Sequence, residues 1–190
     1  MIKNMIRKAD YKAIEKTGPN SYHLMFKVGD VTTPVHQTDS EGNIVKDDNG
    51  NPIIVEYAKT DYCDVLACDY KGELSEQALK NLVNKFVNSE TDARILSGFR
   101  WNDIPVWLSS ENQFNYKAAY DIAVQTNGAN LPVTFKLGTD DKPVYHEFAT
   151  VEELGDFYMQ AMMFISQTLY EGWTLKDSIH YDQYLKEIEA

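Results

Sequence analysis

The feature that most constrains this chain is a change of hydrophobic period near residue 72. Before it, apolar residues alternate or run in short stretches between turn-forming clusters; after it, they recur at three- and four-residue steps. Alternation lines one face of a strand, and steps of three and four line one face of a helix. A chain holding the two patterns in separate blocks is expected to be α+β: a strand-rich region, residues 1–72, followed by a mixed domain, residues 73–190. In that second domain short antiparallel strands pack against three to four helices. With 190 residues there is enough chain to bury a full core without a metal or a disulfide.

In the first block, the turn Thr17-Gly-Pro-Asn20 precedes a strand over 22–28 that is bounded by Gly29-Asp30. Residues 31–37 are extended, and Pro34 favours an edge because it has no N–H for a ladder. Two turn clusters follow, Asp39-Ser-Glu-Gly-Asn43 and Asp47-Asp-Asn-Gly-Asn-Pro52, with only Ile44-Val-Lys46 between them, which predicts an exposed hairpin tip or small meander. Strands are expected over 53–57 and 62–70. Beyond them, Ala78, Leu79, Leu82, Val83, Phe86 and Val87 mark a helix capped by Ser75 and ending near Asn88. Short strands over 95–101 and 104–108 then flank an Asn102-Asp103 turn. Ser110-Glu-Asn-Gln113 opens a second helix, and 131–137 and 144–148 are expected to pair. The capping box Thr150-Val-Glu-Glu153 starts the strongest helix, predicted to stop at Gly172, with Thr174 capping a last helix to about residue 188.

Chemistry-bearing patterns are few. There is no phosphate-binding or dinucleotide-binding glycine loop and no nucleophile elbow. His23, His36, His146 and His180 are scattered, and His146-Glu147, as neighbours on a strand, face opposite sides. The acidic turns miss the twelve-residue calcium loop: counted from Asp47, its glycine position holds Pro52 and its final glutamate position Ala58; counted from Asp39, the final position holds Gly50. Cys63 and Cys68, five apart on extended chain, point to opposite faces, and two cysteines are too few for a structural zinc site. The expectation is therefore no catalytic, cofactor-binding or metal-binding residues. Paired acids such as Asp140-Asp141 and Glu152-Glu153 read as turn and helix-start residues.

Eighteen basic against twenty-nine acidic residues give a formal charge of −11, which argues against nucleic acid and anionic membranes as partners. The best basic cluster, Lys3, Arg7, Lys8, Lys12 and Lys16, also holds Asp10 and Glu15. The opening residues contain no apolar run of signal-peptide length, so the chain is expected to stay in the compartment that makes it. On the helix over 151–171, Leu154, Phe157, Tyr158, Met162, Phe164, Ile165, Leu169 and Tyr170 surround much of the circumference. One face can fill a core while another meets a second chain.

The run Ile95-Leu-Ser-Gly-Phe-Arg-Trp-Asn-Asp-Ile-Pro-Val-Trp-Leu108, the helix through Tyr116-Lys-Ala-Ala119, the strand Leu131-Pro-Val-Thr-Phe-Lys-Leu-Gly138 and the helix start Phe148-Ala-Thr-Val-Glu-Glu-Leu154 carry a resemblance. Over residues 90–185 the chain resembles an uncharacterised domain family encoded beside tail and tail-fibre genes of phages and prophages of gut bacteria. The family's usual Asn-Gly turn is Asn102-Asp103 in this chain. The resemblance implies a virion-associated structural protein of the tail, tail-fibre or baseplate region, assembled in the host cytoplasm. Its partners would be other phage structural proteins and copies of itself. On that reading residues 1–70 dock onto neighbouring tail proteins and the 151–171 helix supports packing between copies. Two alternatives stand beside it: a tail-fibre assembly chaperone that leaves the finished particle, and a carbohydrate-active or host-sugar-binding tail module using exposed rings such as Tyr57, Tyr62 or Tyr70.

Overall fold

In the computed structural model, residues 1–182 are described together with Tyr184 and Lys186. The fold is α+β: a strand-rich amino-terminal region with a curled antiparallel sheet, then three helices and short antiparallel hairpins. Contacts divide the chain into two units, Met1–Leu82 with the residues from Asp177 onward, and Val83–Lys176. The change of period near residue 72 coincides with the end of the last long strand at Lys71.

The first unit is built on β1 (Ile2–Arg7), β2 (Ile14–Gly18), β3 (Ser21–His36) and β4 (Ile54–Lys71), in the order β1-β4-β3-β2 and antiparallel throughout. The segments read from sequence as two pairs of strands are two continuous long ones. Gly29-Asp30 does not end β3, because the register shift between Lys27 and Gly29 absorbs an extra residue and bends the strand without breaking it. Leu24, Phe26 and Leu66 are fully buried. Tyr184 covers them from the returning carboxy-terminal segment, its ring centroid 5.0 Å from that of Phe26 and its hydroxyl donating to the Met25 carbonyl at 3.0 Å.

The second unit holds most of helix α1 (Glu76–Ser97), then β5 (Arg100–Trp101), β6 (Ile104–Pro105), α2 (Ser110–Gln125), β7 (Val133–Gly138), β8 (Pro143–Phe148) and α3 (Val151–Asp177) up to Lys176. Ser75 caps α1 as expected, accepting from the Ala78 N–H. The helix does not stop near Asn88, and residues 95–97, expected in a strand, form its last turn. Ile95 continues the four-residue stripe of Leu79, Val83, Val87 and Thr91, and this burial outweighs its β-branched preference. The chain leaves the helix at Gly98, where an added Cβ would lie 2.6 Å from the Arg94 carbonyl oxygen. The hairpin is correspondingly short, and Asn102 and Asp103 both have positive φ, the geometry of a two-residue type I′ turn.

Helix α2 is capped one residue earlier than expected, by Ser109, whose hydroxyl accepts from the Asn112 N–H. Strands β7 and β8 pair over Val133↔Phe148 to Gly138↔Pro143, as the spacing predicts. Thr150 caps α3 through the Glu153 N–H, and Glu153 reaches back to the Ala149 N–H, close to the predicted capping box.

Gly172 does not end α3 and Thr174 does not cap a new helix, since both lie inside α3. Gly172 is buried, and a Cβ there would sit 2.6 Å from Thr91 Oγ1 on α1; the glycine is a contact point between two helices rather than a stop signal. Helical backbone returns at Asp182, Tyr184 and Lys186, and the rest of the expected last helix, to about 188, lies outside the described residues. The core of this unit centres on Phe157, which meets Tyr116 and Trp101 edge-on at 4.9 and 5.5 Å, and Phe148 at 5.1 Å.

Candidate functional site

The most distinctive surface of the first unit is the outer half of β3 and β4. Among the described residues, β1 pairs with β4 only as far as Tyr62, and β2 pairs with β3 only as far as Leu24. Beyond those points the ribbon continues alone, from Thr32↔Lys59 to His36↔Ile54. Pro34 lies in this stretch, where β3 has β4 as its single neighbour and one missing donor costs little. A two-stranded ribbon is marginal in water by itself, and this one also leaves Val55 58% and Tyr57 62% exposed on one face.

What organises the ribbon's end is a repeat the sequence analysis did not detect. Asp39-Ser-Glu-Gly-Asn43 and Asp47-Asp-Asn-Gly-Asn51 share the pattern Asp-x-x-Gly-Asn at a spacing of eight, and their bonding is the same. One carboxylate oxygen of Asp39 accepts from the N–H groups of Glu41 and Asn43, and one of Asp47 from those of Asn49 and Asn51, all at 2.8–2.9 Å. Gly42 and Gly50 take φ of 87° and 84°, a conformation open to glycine at little cost. Between these leaves, three residues eight apart close a ring: Gln37 N–H donates to the Ile53 carbonyl, Ile53 N–H to Val45 and Val45 N–H to Gln37, at 2.8, 3.0 and 2.8 Å. The tip is thus a clover of two leaves, 37–45 and 45–53, with the ribbon as its stem. A period of eight falls below the lengths at which structural repeats are usually sought, and the doubled Asp-x-x-Gly-Asn was the available signal.

The two aspartates are therefore turn builders. Bonds from the backbone N–H groups of Asn43 and Asn51 hold Asp39 and Asp47 below the usual carboxylate range. A carboxyl held low in the folded state lends stability that is complete above its unfolded pKa of about 3.9 and is lost as pH falls through the lower folded value. In an NMR titration the amide shifts of Asn43 and Asn51 should move together with midpoints below 3.8. Midpoints at or above that value would show that the turns do not depend on the carboxylates.

The other candidates from sequence are largely accounted for by local structure. His146 faces away from Glu147 and pairs with Glu153 at 2.8 Å, while its ring packs on Trp101 and Phe148; the pair ties β8 to the start of α3. His23 pairs across strands with Asp69 at 2.8 Å, beside a hollow of about 360 Å³. Cys63 is buried, Cys68 half-buried, and neither is in a disulfide. Of the amino-terminal bases, Lys8 pairs with Asp30 and Lys12 with Glu15. Among the three tyrosines named for sugar stacking, Tyr57 is open; Tyr62 lies beside Arg7 and Tyr70 donates to the Glu73 carbonyl.

A cleft of about 610 Å³ in the second unit runs beside Trp107, Asn112, Lys136 and Asp140. It contains one carboxylate, Asp140, already paired with Lys136 at 3.3 Å, whereas glycoside hydrolysis by the common routes needs two. Among the described residues no group of three or more His, Cys, Asp or Glu is placed to hold a metal, and no helix is long and apolar enough to cross a membrane.

Comparisons with protein-family models, with curated proteins and with solved structures give no match. Exposed apolar side chains gather in two places, Val55 and Tyr57 on the ribbon of the first unit and Met159, Met163 and Tyr170 on α3 of the second.

Proposed function

We propose that this chain is a structural protein of a phage particle, in the tail, tail-fibre or baseplate region, and that it works by protein–protein contact. The observation that carries the contact-making role is the ribbon. It extends past the strands that flank it, ends in a rigidly bonded tip, and turns Val55 and Tyr57 outward. Exposed apolar residues on a ribbon with unpaired edges are stabilised when a neighbour covers them, either by adding a strand or by packing on the face. The placement in a phage tail is supported by the resemblance of residues 90–185 to the domain family encoded beside tail genes.

In this reading, the ribbon docks on a neighbouring tail protein, and the bonded tip keeps the docking surface in one shape before the partner arrives, which reduces the ordering cost of binding. The doubled Asp-x-x-Gly-Asn turns serve that stiffness. Density-gradient purification of the particles, followed by quantitative mass spectrometry, tests the assignment. A structural component is present at a fixed ratio to the other tail proteins; an assembly chaperone is missing from finished particles.

A further inference from the structure

Trp107 stands between Val106 and Leu108, which are both buried, and is itself 52% exposed. Trp101 sinks its ring into the core and bonds its indole N–H to Asp156, whereas Trp107 presents its ring to the cleft of about 610 Å³. That volume lies within the range of about 300–1,000 Å³ typical of ligand pockets, and all its lining residues belong to the Val83–Lys176 unit. Both walls are fixed by bonding. On one side the Val106 N–H donates to the Phe99 carbonyl and the Leu108 N–H to Leu96, at 3.0 and 2.9 Å, and the Asn112 amide donates to the Trp107 carbonyl at 2.8 Å. On the other side Thr139 and Lys142 exchange N–H···O bonds at 3.2 and 3.1 Å, closing the turn that follows Gly138. Gly138 has φ of 84°, and an added Cβ there would lie 2.4 Å from the Lys142 carbonyl oxygen.

We propose that this cleft binds an uncharged sugar ring, with Trp107 as its stacking platform. A pyranose combines a face of C–H groups with an edge of hydroxyls, and the cleft offers a partner to each. The C–H face packs on the indole, whose π-face is negative and draws the weakly positive hydrogens. Opposite it, Lys136 Nζ and Asp140 Oδ1 lie 3.3 Å apart, a donor and an acceptor side by side. Neighbouring sugar hydroxyls each donate and accept, so one takes a bond from Lys136 while the next gives one to Asp140. Asn112, with its N–H committed to the Trp107 carbonyl, turns its amide oxygen into a further acceptor.

Charge and desolvation narrow the ligand class. The Lys136–Asp140 pair is neutral as a unit and the chain carries −11, so a polyanion gains nothing from this cleft. An apolar peptide side chain would cover the indole but strip water from Lys136 and Asp140 without replacing it. With a single carboxylate the site holds a sugar rather than cleaving it. The proposal stands apart from the assembly reading, and neither depends on the other.

Labelling the full chain with ¹⁵N-tryptophan gives three indole N–H resonances, and Trp107→Phe identifies the one from Trp107. Titration to about 50 mM with the methyl glycosides of glucose, galactose, mannose and N-acetylglucosamine should move that resonance to saturation for at least one sugar. A Kd of about 1–10 mM is expected, with the Trp101 and Trp173 resonances unmoved. The double variant Lys136→Met, Asp140→Asn should raise that Kd at least about fivefold with an unchanged melting curve, since both side chains are exposed. In Trp107→Ala, saturation transfer from protein to sugar protons should vanish, and in Trp107→Tyr it should persist. No movement of the Trp107 resonance with any of the four sugars, or binding that survives Trp107→Ala, would overturn the proposal. So would movement with a mixture of apolar tripeptides and none with the sugars, which would mark a peptide site instead.

Discussion

Truncating Phe157 to alanine should cost the second unit about 3–5 kcal/mol, the range for deleting a fully buried aromatic ring. Phe157 is fully buried and sits where α3, α2 and both short hairpins converge, within 6.4 Å of the rings of Phe99, Trp101, Tyr116, Phe135 and Phe148. Removing it leaves a cavity walled by other rigid rings, which cannot collapse inward as a set of flexible aliphatic chains could. Its loss also removes the edge-to-face contacts of Trp101 and Tyr116. The chain supplies its own probe: all three tryptophans, Trp101, Trp107 and Trp173, lie in the Val83–Lys176 unit, so the fluorescence of urea unfolding reports that unit alone. Met159→Ala, on the exposed side of the same helix, is the control and should change stability by less than about 0.5 kcal/mol. A loss below about 1 kcal/mol for Phe157→Ala would mean that the aromatic cluster is not the core of this unit.

Replacing Val55 and Tyr57 together with aspartate should reduce recovery of the protein in purified particles by at least about tenfold while leaving its thermal melt in place. Both side chains are more than half exposed, so the substitutions remove little internal packing. At an interface the same change buries two carboxylates in an apolar contact, which costs several kcal/mol. Asp48→Ala, which alters tip charge without touching the ribbon face or the carboxylates that hold the turns, should be incorporated normally. If the double aspartate variant enters particles at the wild-type level, the ribbon face is not the docking surface.

The sequence was most readable where a local rule had no competitor. The caps at Ser75 and Thr150, the Asn102-Asp103 turn and the pairing of β7 with β8 follow from residue types at fixed offsets. The errors lie where tertiary packing overrode a local signal. Gly29-Asp30 reads as a strand end, but a bulge carries β3 through it; Ile95 reads as strand, but it completes the buried stripe of α1; Gly172 reads as a helix stop, but it lets α1 and α3 approach at Thr91. The candidate site was half visible. Turn clusters at 39–43 and 47–52 pointed to an exposed tip, but the ring joining residues 37, 45 and 53 is a relation among three backbone segments and no single window of sequence contains it. The apolar excess of α3 was plain, whereas its split into a core side and an exposed seam required knowing which side the core takes.

The central proposal, that this chain is a built-in part of a phage particle, is tested most directly by sedimenting phage particles released from cells that make the chain and measuring it against the tail proteins across the gradient. The account predicts one constant ratio in every particle-containing fraction. Absence from those fractions, or a ratio that varies from fraction to fraction, would contradict it.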